Sequence, residues 1–135
     1  MAGNRNAAGS RTCHAWCVIL RCLIVDDSPH FLAAARTLLE RQGFEVAGVA
    51  STGAEALQKA VELHPDVTLV DINLGGESGF EVARRLRAGA DPAPVILIST
   101  QGEDDYIDLI RASPALGFLP KTTLSGHAIR ELLNS

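Results

Sequence analysis

Aromatic residues are scarce in this sequence, at 4% of 135 positions, so any core must be built mainly from aliphatic side chains. No apolar run approaches the roughly 20 residues that a bilayer-spanning helix requires. The net charge is -4, whereas proteins that bind nucleic acid or membrane surfaces electrostatically are usually basic. We therefore expect no direct nucleic-acid partner and no membrane partner.

Cysteine is also rare, and its three positions, Cys13, Cys17 and Cys22, crowd the amino-terminal end. An odd number so placed predicts no disulfide framework and favours a reducing, cytoplasmic location. The spacing of Cys13, His14 and Cys17 does not match a common zinc signature, and no fourth ligand is nearby. We interpret these residues as part of a tail.

Residues 1–17 differ in composition from the rest of the chain. They are rich in Gly, Asn, Ala, Ser and Arg and show no apolar periodicity, which predicts a disordered tail. Residues 18–135 are regular, and the 47% apolar content of the chain suffices for one core. We expect a tail followed by a single domain.

Short apolar segments alternate with helical patterns along that domain. Ser28-Pro29 is a typical helix start, with Ser as the N-cap and Pro in the first helical position. Residues 74–79 are predicted to form a flexible loop, and Glu103 to Asp105 to form the first turn of a fourth helix. The predicted strands are residues 21–25, 45–50, 67–71, 95–98 and 117–120.

Five such alternations predict an α/β fold, with a five-stranded parallel sheet and helices on both of its faces. Right-handed crossovers bring the carboxyl ends of all the strands to one edge. Polar groups follow four of these strands there, namely Asp26 with Asp27, Asp71, Ser99 and Lys121.

This set of side chains suits phosphoryl transfer. Clustered carboxylates repel one another unless cations compensate them, and Lys121 with a hard divalent ion such as Mg2+ would do so. A carboxylate beside these cations and the Ser99 hydroxyl could attack phosphorus. Each residue alone is more simply a solvated cap or a surface lysine, and only their joint placement favours a site.

The sequence resembles the receiver domain of bacterial two-component response regulators. The resemblance rests on Leu-Ile-Val-Asp-Asp-Ser at 23–28, Asp-Val-Thr-Leu-Val-Asp-Ile at 66–72, Gly79, Val-Ile-Leu-Ile-Ser-Thr at 95–100 and Gly-Phe-Leu-Pro-Lys at 117–121. It implies a doubly wound, flavodoxin-like sheet with strand order 2-1-3-4-5.

The resemblance also implies a role for each site residue. Asp71 corresponds to the phosphoacceptor, and Asp26, Asp27, Asp71 and the backbone carbonyl of Asn73 to the Mg2+ ligands, with Asp27 a direct ligand. Ser99 corresponds to the switch hydroxyl, Phe118 to the switch aromatic and Lys121 to the family lysine.

The family's partners follow from the same resemblance. A sensor histidine kinase, or a small phosphodonor, would phosphorylate Asp71, and the protein would catalyse only its own phosphorylation and dephosphorylation. The face built from the fourth helix, fifth strand and fifth helix would then bind a downstream protein or a DNA-binding output domain absent from this chain. We expect a stand-alone receiver or a fragment, as a monomer or a phosphorylation-dependent dimer.

Three residues depart from the family pattern: Gly75 and Thr122 replace frequent prolines, and Thr100 replaces Ala or Gly. We expect Gly75 to loosen its loop.

Two alternatives are disfavoured, since a haloacid-dehalogenase-like phosphatase needs Asp-x-Asp after its first strand and a flavodoxin-like electron carrier needs a phosphate loop there. A receiver fold used as a constitutive interaction module remains the alternative.

Overall fold

A five-stranded parallel sheet forms the centre of the protein. The computed structural model describes residues 12–14 and 17–134. The strands are β1 (Arg21–Val25), β2 (Glu45–Ala50), β3 (Val67–Asp71), β4 (Val95–Ser99) and β5 (Gly117–Pro120). Their order across the sheet is β2-β1-β3-β4-β5, and every neighbouring pair is parallel. The predicted fold class and strand order are confirmed.

Five helices connect and follow these strands: α1 (Pro29–Arg41), α2 (Gly53–Leu63), α3 (Gly79–Arg87), α4 (Ile107–Ala112) and α5 (Gly126–Leu133). Four of them begin after a hydroxyl residue whose side chain accepts a hydrogen bond from the first turn, which satisfies one of the unpaired N–H groups there. These N-caps are Ser28, Thr52, Ser78 and Ser125. Local sequence thus determines where these four helices begin.

The sheet is covered on both faces, and successive side chains along a strand alternate between two cores. Cys22 and Ile24 of β1 join one core with Ala35 of α1 and Ile129 of α5. Leu23 and Val25 join the other core, to which α2 and α3 contribute Ala56, Val82, Ala83 and Leu86. Every residue of β3 and β4 is buried, as expected for strands covered on both sides.

The fourth helix differs from the expectation. Glu103–Asp105 form a separate 3-10 turn, and the α-helix begins only at Ile107. The backbone of Tyr106, between the two, is not helical. Its hydroxyl donates a hydrogen bond of 2.5 Å to Gln101, and its ring lies 6.2 Å from that of Phe80. The hydroxyl and the ring of Tyr106 are thus both in contact with other residues at the point where the helix is interrupted.

Residues 74–79 are more regular than the predicted loop. Asn73–Leu74 pair antiparallel with Glu77–Ser78, and Gly75 and Gly76 form the turn at φ 61° and 109°. Positive φ at both turn positions is typical of a tight hairpin turn and is readily adopted by glycine. We refer to residues 73–78 as the Gly-Gly hairpin.

The amino-terminal segment contains one small pair of strands. Thr12–His14 pair antiparallel with Cys17–Val18. The remainder of the tail predicted over residues 1–17 lies outside the described residues, as do the side chains of Cys13, His14 and Cys17. Within the described part of the chain, no helix combines the length and apolar character needed to cross a membrane.

Candidate functional site

The strand registers bring the predicted site residues to one edge of the sheet. Val25 lies opposite Val70, so Asp26 and Asp71 follow neighbouring strands at the same level. On the other side of β3, Asp71 lies opposite Ile98, and Ser99 in turn lies opposite Pro120. The ends of four adjacent strands therefore supply Asp26, Asp71, Ser99 and Lys121.

Three carboxylates form an acidic cluster at this edge. Asp26, Asp27 and Asp71 each place a carboxylate oxygen within 4.8 Å of the others. Asp26 is fully buried and Asp71 nearly so, whereas Asp27 is exposed. The Oδ2 atom of Asp26 is buried, and the partner that the described residues offer it is the Lys121 ammonium. The three carboxylates therefore require positive charge nearby to balance them.

Lys121 supplies part of that charge. Its Nζ lies 2.5 Å from Asp26 Oδ2 and 3.1 Å from Asp71 Oδ2. Burial by itself would lower the pKa of the Lys121 ammonium, but the hydrogen bond that it donates to Asp26 and the two carboxylate charges outweigh burial, so its pKa is raised. Lys121 is thus protonated at neutral pH.

The Asp71 carboxylate is held by two donors. Its Oδ1 accepts a hydrogen bond of 3.2 Å from the Asn73 backbone N–H, while Oδ2 faces Lys121. Burial raises the pKa of Asp71 above its ordinary value, the Asn73 N–H and Lys121 oppose that rise, and the neighbouring Asp26 carboxylate adds to it. In the absence of another cation, the charged form of Asp71 is disfavoured.

The first turn of α1 contributes an aromatic contact that the sequence analysis missed. Asp26 Oδ1 accepts a 2.8 Å hydrogen bond from the Ser28 N–H, and the Ser28 hydroxyl accepts one of 3.2 Å from Phe31 N–H. The Phe31 ring in turn lies under the Lys121 ammonium, 4.4 Å from Nζ to centroid, a cation–π contact. An apolar side chain such as Phe31 carries no group that marks it for a charged site, and its place in the first turn after a site strand is the signal that could have identified it.

Ser99 and Phe118 lie on the same side of the sheet but at different depths. Ser99 is buried, and its hydroxyl accepts a 3.0 Å hydrogen bond from the Gln101 N–H. Phe118 lies opposite Leu97 in the ladder, two residues before the level of Ser99, and is half-buried against the core that contains α2 and α3. Phe118 is therefore close to the site edge without being part of the acidic cluster.

Glycines allow the Gly-Gly hairpin to approach the acidic cluster. A Cβ on Gly75 would lie 2.8 Å from Asp27 Oδ2, so this carboxylate lies against the turn. A Cβ on Gly79, where the hairpin joins α3, would collide with the backbone carbonyl of Asp71 and lie 2.6 Å from Ile72 Cα. Gly79 N–H donates to the Ile72 carbonyl at 2.9 Å. Gly79 is one of the residues on which the family resemblance rests, and this close approach gives it a packing role that its sequence context does not reveal.

These side chains fit a divalent cation with oxygen ligands. Three carboxylates and one ammonium leave the cluster two positive charges short of neutrality, which one such ion would supply. The buried Asp26 carboxylate shares its one ammonium partner with Asp71, and such a carboxylate is the kind of acceptor that a bound cation stabilises. The other buried titratable group of note, Cys22, is a core thiol whose pKa burial raises to about 12.

Comparison with known proteins agrees with this geometry. Residues 22–133 match the family model for the response regulator receiver domain. The transcriptional regulatory protein LiaR of Bacillus subtilis is 36% identical over 107 residues, covering 78% of this chain and 50% of LiaR. The response regulator GacA of Pseudomonas viridiflava is 34% identical over 106 residues, covering 76% of this chain and 49% of GacA. The chain thus spans about half the length of these relatives.

Solved structures show the same fold. The response regulator domain of Thermotoga maritima CheB superposes with a TM-score of 0.72 at 30% identity, covering 87% of this chain and 98% of that domain. A chemotaxis response regulator of Vibrio cholerae gives a TM-score of 0.72 at 27% identity, covering 87% of this chain and 98% of its own. With the sheet order, the acidic edge and the family match in agreement, the chain belongs to the response regulator receiver domains, whose general role is to accept a phosphoryl group.

Proposed function

We propose that this chain is a phosphorylation switch in which Asp71 accepts the phosphoryl group in a Mg2+-dependent reaction. One observation carries the proposal: the Asp71 carboxylate lies at a strand end, 3.1 Å from the Lys121 ammonium and within a cluster of three carboxylates. A carboxylate so placed faces the cations that a phosphoryl group requires. The proposal assigns residues 18–135 to the receiver and residues 1–17 to a tail.

The metal would be held by Asp26, Asp27, Asp71 and the backbone carbonyl of Asn73. Asp27 is the exposed member of the cluster, which suits it to bind the ion directly from solvent. Once bound, Mg2+ would neutralise negative charge on the phosphoryl oxygens. The acidic cluster supports this assignment, because its oxygen donors are the ligands that Mg2+ prefers.

The transfer itself would use side chains of this chain. A carboxylate oxygen of Asp71 forms a bond to phosphorus, while the bond from phosphorus to the donor breaks and its electron pair leaves with the donor. That donor atom is an imidazole nitrogen for a phosphohistidine of a sensor histidine kinase, or an oxygen for a small acyl phosphate. Lys121 binds the phosphoryl oxygens, and the Ser99 hydroxyl donates a hydrogen bond to them.

The same residues would drive the switch. Movement of Ser99 toward the phosphoryl group would leave space into which the half-buried Phe118 rotates, altering the face formed by α4, β5 and α5. Two exposed leucines support a binding role for this face: Leu109 of α4 is 54% exposed and Leu116, just before β5, is 42% exposed. Water would later hydrolyse the acyl phosphate, so the chain acts on itself and turns over no external substrate.

The partners follow from this role. A sensor histidine kinase would be upstream, and a DNA-binding output domain or a separate protein downstream. The relative LiaR is named a transcriptional regulatory protein. We infer a cytoplasmic location from the free, buried Cys22 thiol and the odd cysteine count. Sedimentation with and without beryllofluoride distinguishes a constant monomer from a phosphorylation-dependent dimer.

Intact-mass measurement tests the proposal directly. With Mg2+ and acetyl phosphate, the protein is expected to gain one phosphoryl group, and Asp71→Asn to gain none, because the attacking carboxylate is removed. Asp91→Asn is the matched control, since Asp91 is exposed in the loop before β4 at the opposite edge of the sheet. Absence of any adduct on the unmodified protein would favour the alternative of a constitutive interaction module.

A further inference from the structure

The Gly-Gly hairpin is tied to a neighbouring helix by an acidic side chain. The Glu77 Oε1 atom accepts a hydrogen bond of 2.9 Å from the backbone N–H of Gly53, the first residue of α2. Glu77 lies opposite Leu74 in the hairpin and immediately follows the turn residue Gly76. The contact therefore joins the second strand of the hairpin, close to the turn, to α2.

The helix end that receives this contact is buried and closely packed. Gly53 is buried, and a Cβ there would collide with the Glu77 carboxylate and lie 2.8 Å from Val82 Cγ2 of α3. Three residues later Ala56 is fully buried in the core. Glu77 also satisfies one of the N–H groups that a helix leaves unpaired in its first turn.

The other face of the hairpin turn contacts the acidic cluster. Asp27 lies against Gly75, and the Asn73 N–H donates to Asp71 Oδ1. Gly75 has φ 61°, a value that the ring of proline cannot adopt, so the proline frequent in the family at this position could not fix this turn. The hydrogen bond of Glu77 restrains the same segment in a different way. It opposes the loosening of the loop that the sequence predicts for Gly75.

We propose that Glu77 is a positioning residue, which holds the Gly-Gly hairpin against the amino-terminal end of α2 and so keeps Asn73 and Asp27 in place for the metal. Because the metal belongs to the proposed function, the inference rests on it. The hydrogen bond, and not the charge of Glu77, is the part that matters. Ligands held by such outer contacts bind metal more tightly because less ordering is needed when the ion arrives.

Calorimetric titration of the full chain with MgCl2 alone tests the proposal. Glu77→Ala is expected to weaken Mg2+ binding by about tenfold, the lower end for loss of an outer-shell partner. Glu77→Gln keeps an oxygen acceptor for the Gly53 N–H and is expected to bind nearly as tightly as the unmodified protein. Glu62→Ala, an exposed glutamate on α2 away from the cluster, removes the same charge and should change nothing.

Two results would overturn the inference. Equal Mg2+ affinity in Glu77→Ala and the unmodified protein would remove the positioning role. Equal weakening in Glu77→Gln and Glu77→Ala would assign the effect to charge and not to the hydrogen bond.

Hydrogen–deuterium exchange without metal separates this inference from the proposed function. The amides of the Gly-Gly hairpin and of Gly53 are expected to exchange faster in Glu77→Ala, but not in Glu77→Gln. Unchanged exchange in the alanine variant refutes the inference even if Mg2+ binds. If the unmodified protein binds no Mg2+, the proposed function fails, while the exchange rates still decide whether Glu77 fixes the hairpin.

Discussion

At the scale of single residues, the Lys121 ammonium joins the charged and the aromatic contacts of the site. It pairs with two carboxylates that are almost completely removed from solvent, and it lies over the face of the Phe31 ring. A flexible lysine side chain loses conformational freedom when it is held in one geometry. The ring and the carboxylates together define where the charge lies, and therefore where it can stabilise phosphoryl oxygens.

Replacement of Phe31 by Leu tests the aromatic part of this arrangement. Leucine keeps an apolar side chain but lacks the negative ring face, so we expect labelling by acetyl phosphate to slow by about three- to tenfold. The rate is measured by intact mass against time. Phe80→Leu is the control, because Phe80 packs in the opposite core and its ring contacts Tyr106. An equal slowing in both variants would point to general loss of packing.

At the scale of elements, the junction between the Gly-Gly hairpin and α3 is the tightest approach of backbone to the site. Gly79 lies directly over the Asp71 carbonyl and the Ile72 Cα, and both are backbone atoms at the end of a buried central strand. Such atoms cannot move aside as a flexible side chain could. The end of β3 and the start of α3 can therefore meet only through a residue without a side chain.

We expect Gly79→Ala to destabilise the protein by roughly 2 kcal/mol, the scale of overpacking in a filled interior. Phosphorylation of Asp71 should slow as well, because the displaced backbone carries that residue. Urea unfolding and acetyl phosphate labelling measure the two effects. Gly102→Ala is the matched control, since no atom lies within 4 Å of a Cβ built there. Equal stability of the two variants would contradict the packing argument.

At the scale of the whole molecule, the acidic cluster couples stability to pH. Burial raises the pKa of Asp71, so between its ordinary value of 3.8 and its raised value the native state holds more protons than the unfolded chain. By linkage, stability then falls as the pH rises through that window. Lys121 acts at the alkaline end: its raised pKa contributes stability fully below 10.5, which is lost as the pH rises through the raised value.

Thermal melts without metal test this coupling. At about pH 7, Asp71→Asn is expected to melt a few degrees higher than the unmodified protein, because the amide carries no buried charge. The difference should shrink as the pH falls through the raised pKa of Asp71, because the unmodified side chain then becomes protonated. Added Mg2+ should raise the melting temperature of the unmodified protein more than that of the variant. If the difference in melting temperature between the variant and the unmodified protein does not change with pH, the charge of Asp71 is not its cause.

The sequence alone determined most of the framework. The apolar runs, the Ser28-Pro29 helix start and the alternation of elements predicted all five strands, because burial and capping are properties of neighbouring residues. The order of the strands followed from the resemblance to the receiver family. The alternation of elements also placed Asp26, Asp71, Ser99 and Lys121 at one edge, since parallel strands share that edge. The roles assigned to them remain predictions that labelling of Asp71 tests.

Only the tertiary structure decided the contacts that cross between elements. Phe31 has the helical spacing of a core residue, and only the folding of β5 beside β4 brings Lys121 over its ring. Glu77 lies in a stretch that had the composition of a flexible loop, and its partner, Gly53, is on a separate helix. Such contacts depend on distances between segments remote in the chain, which local periodicity and propensity do not encode.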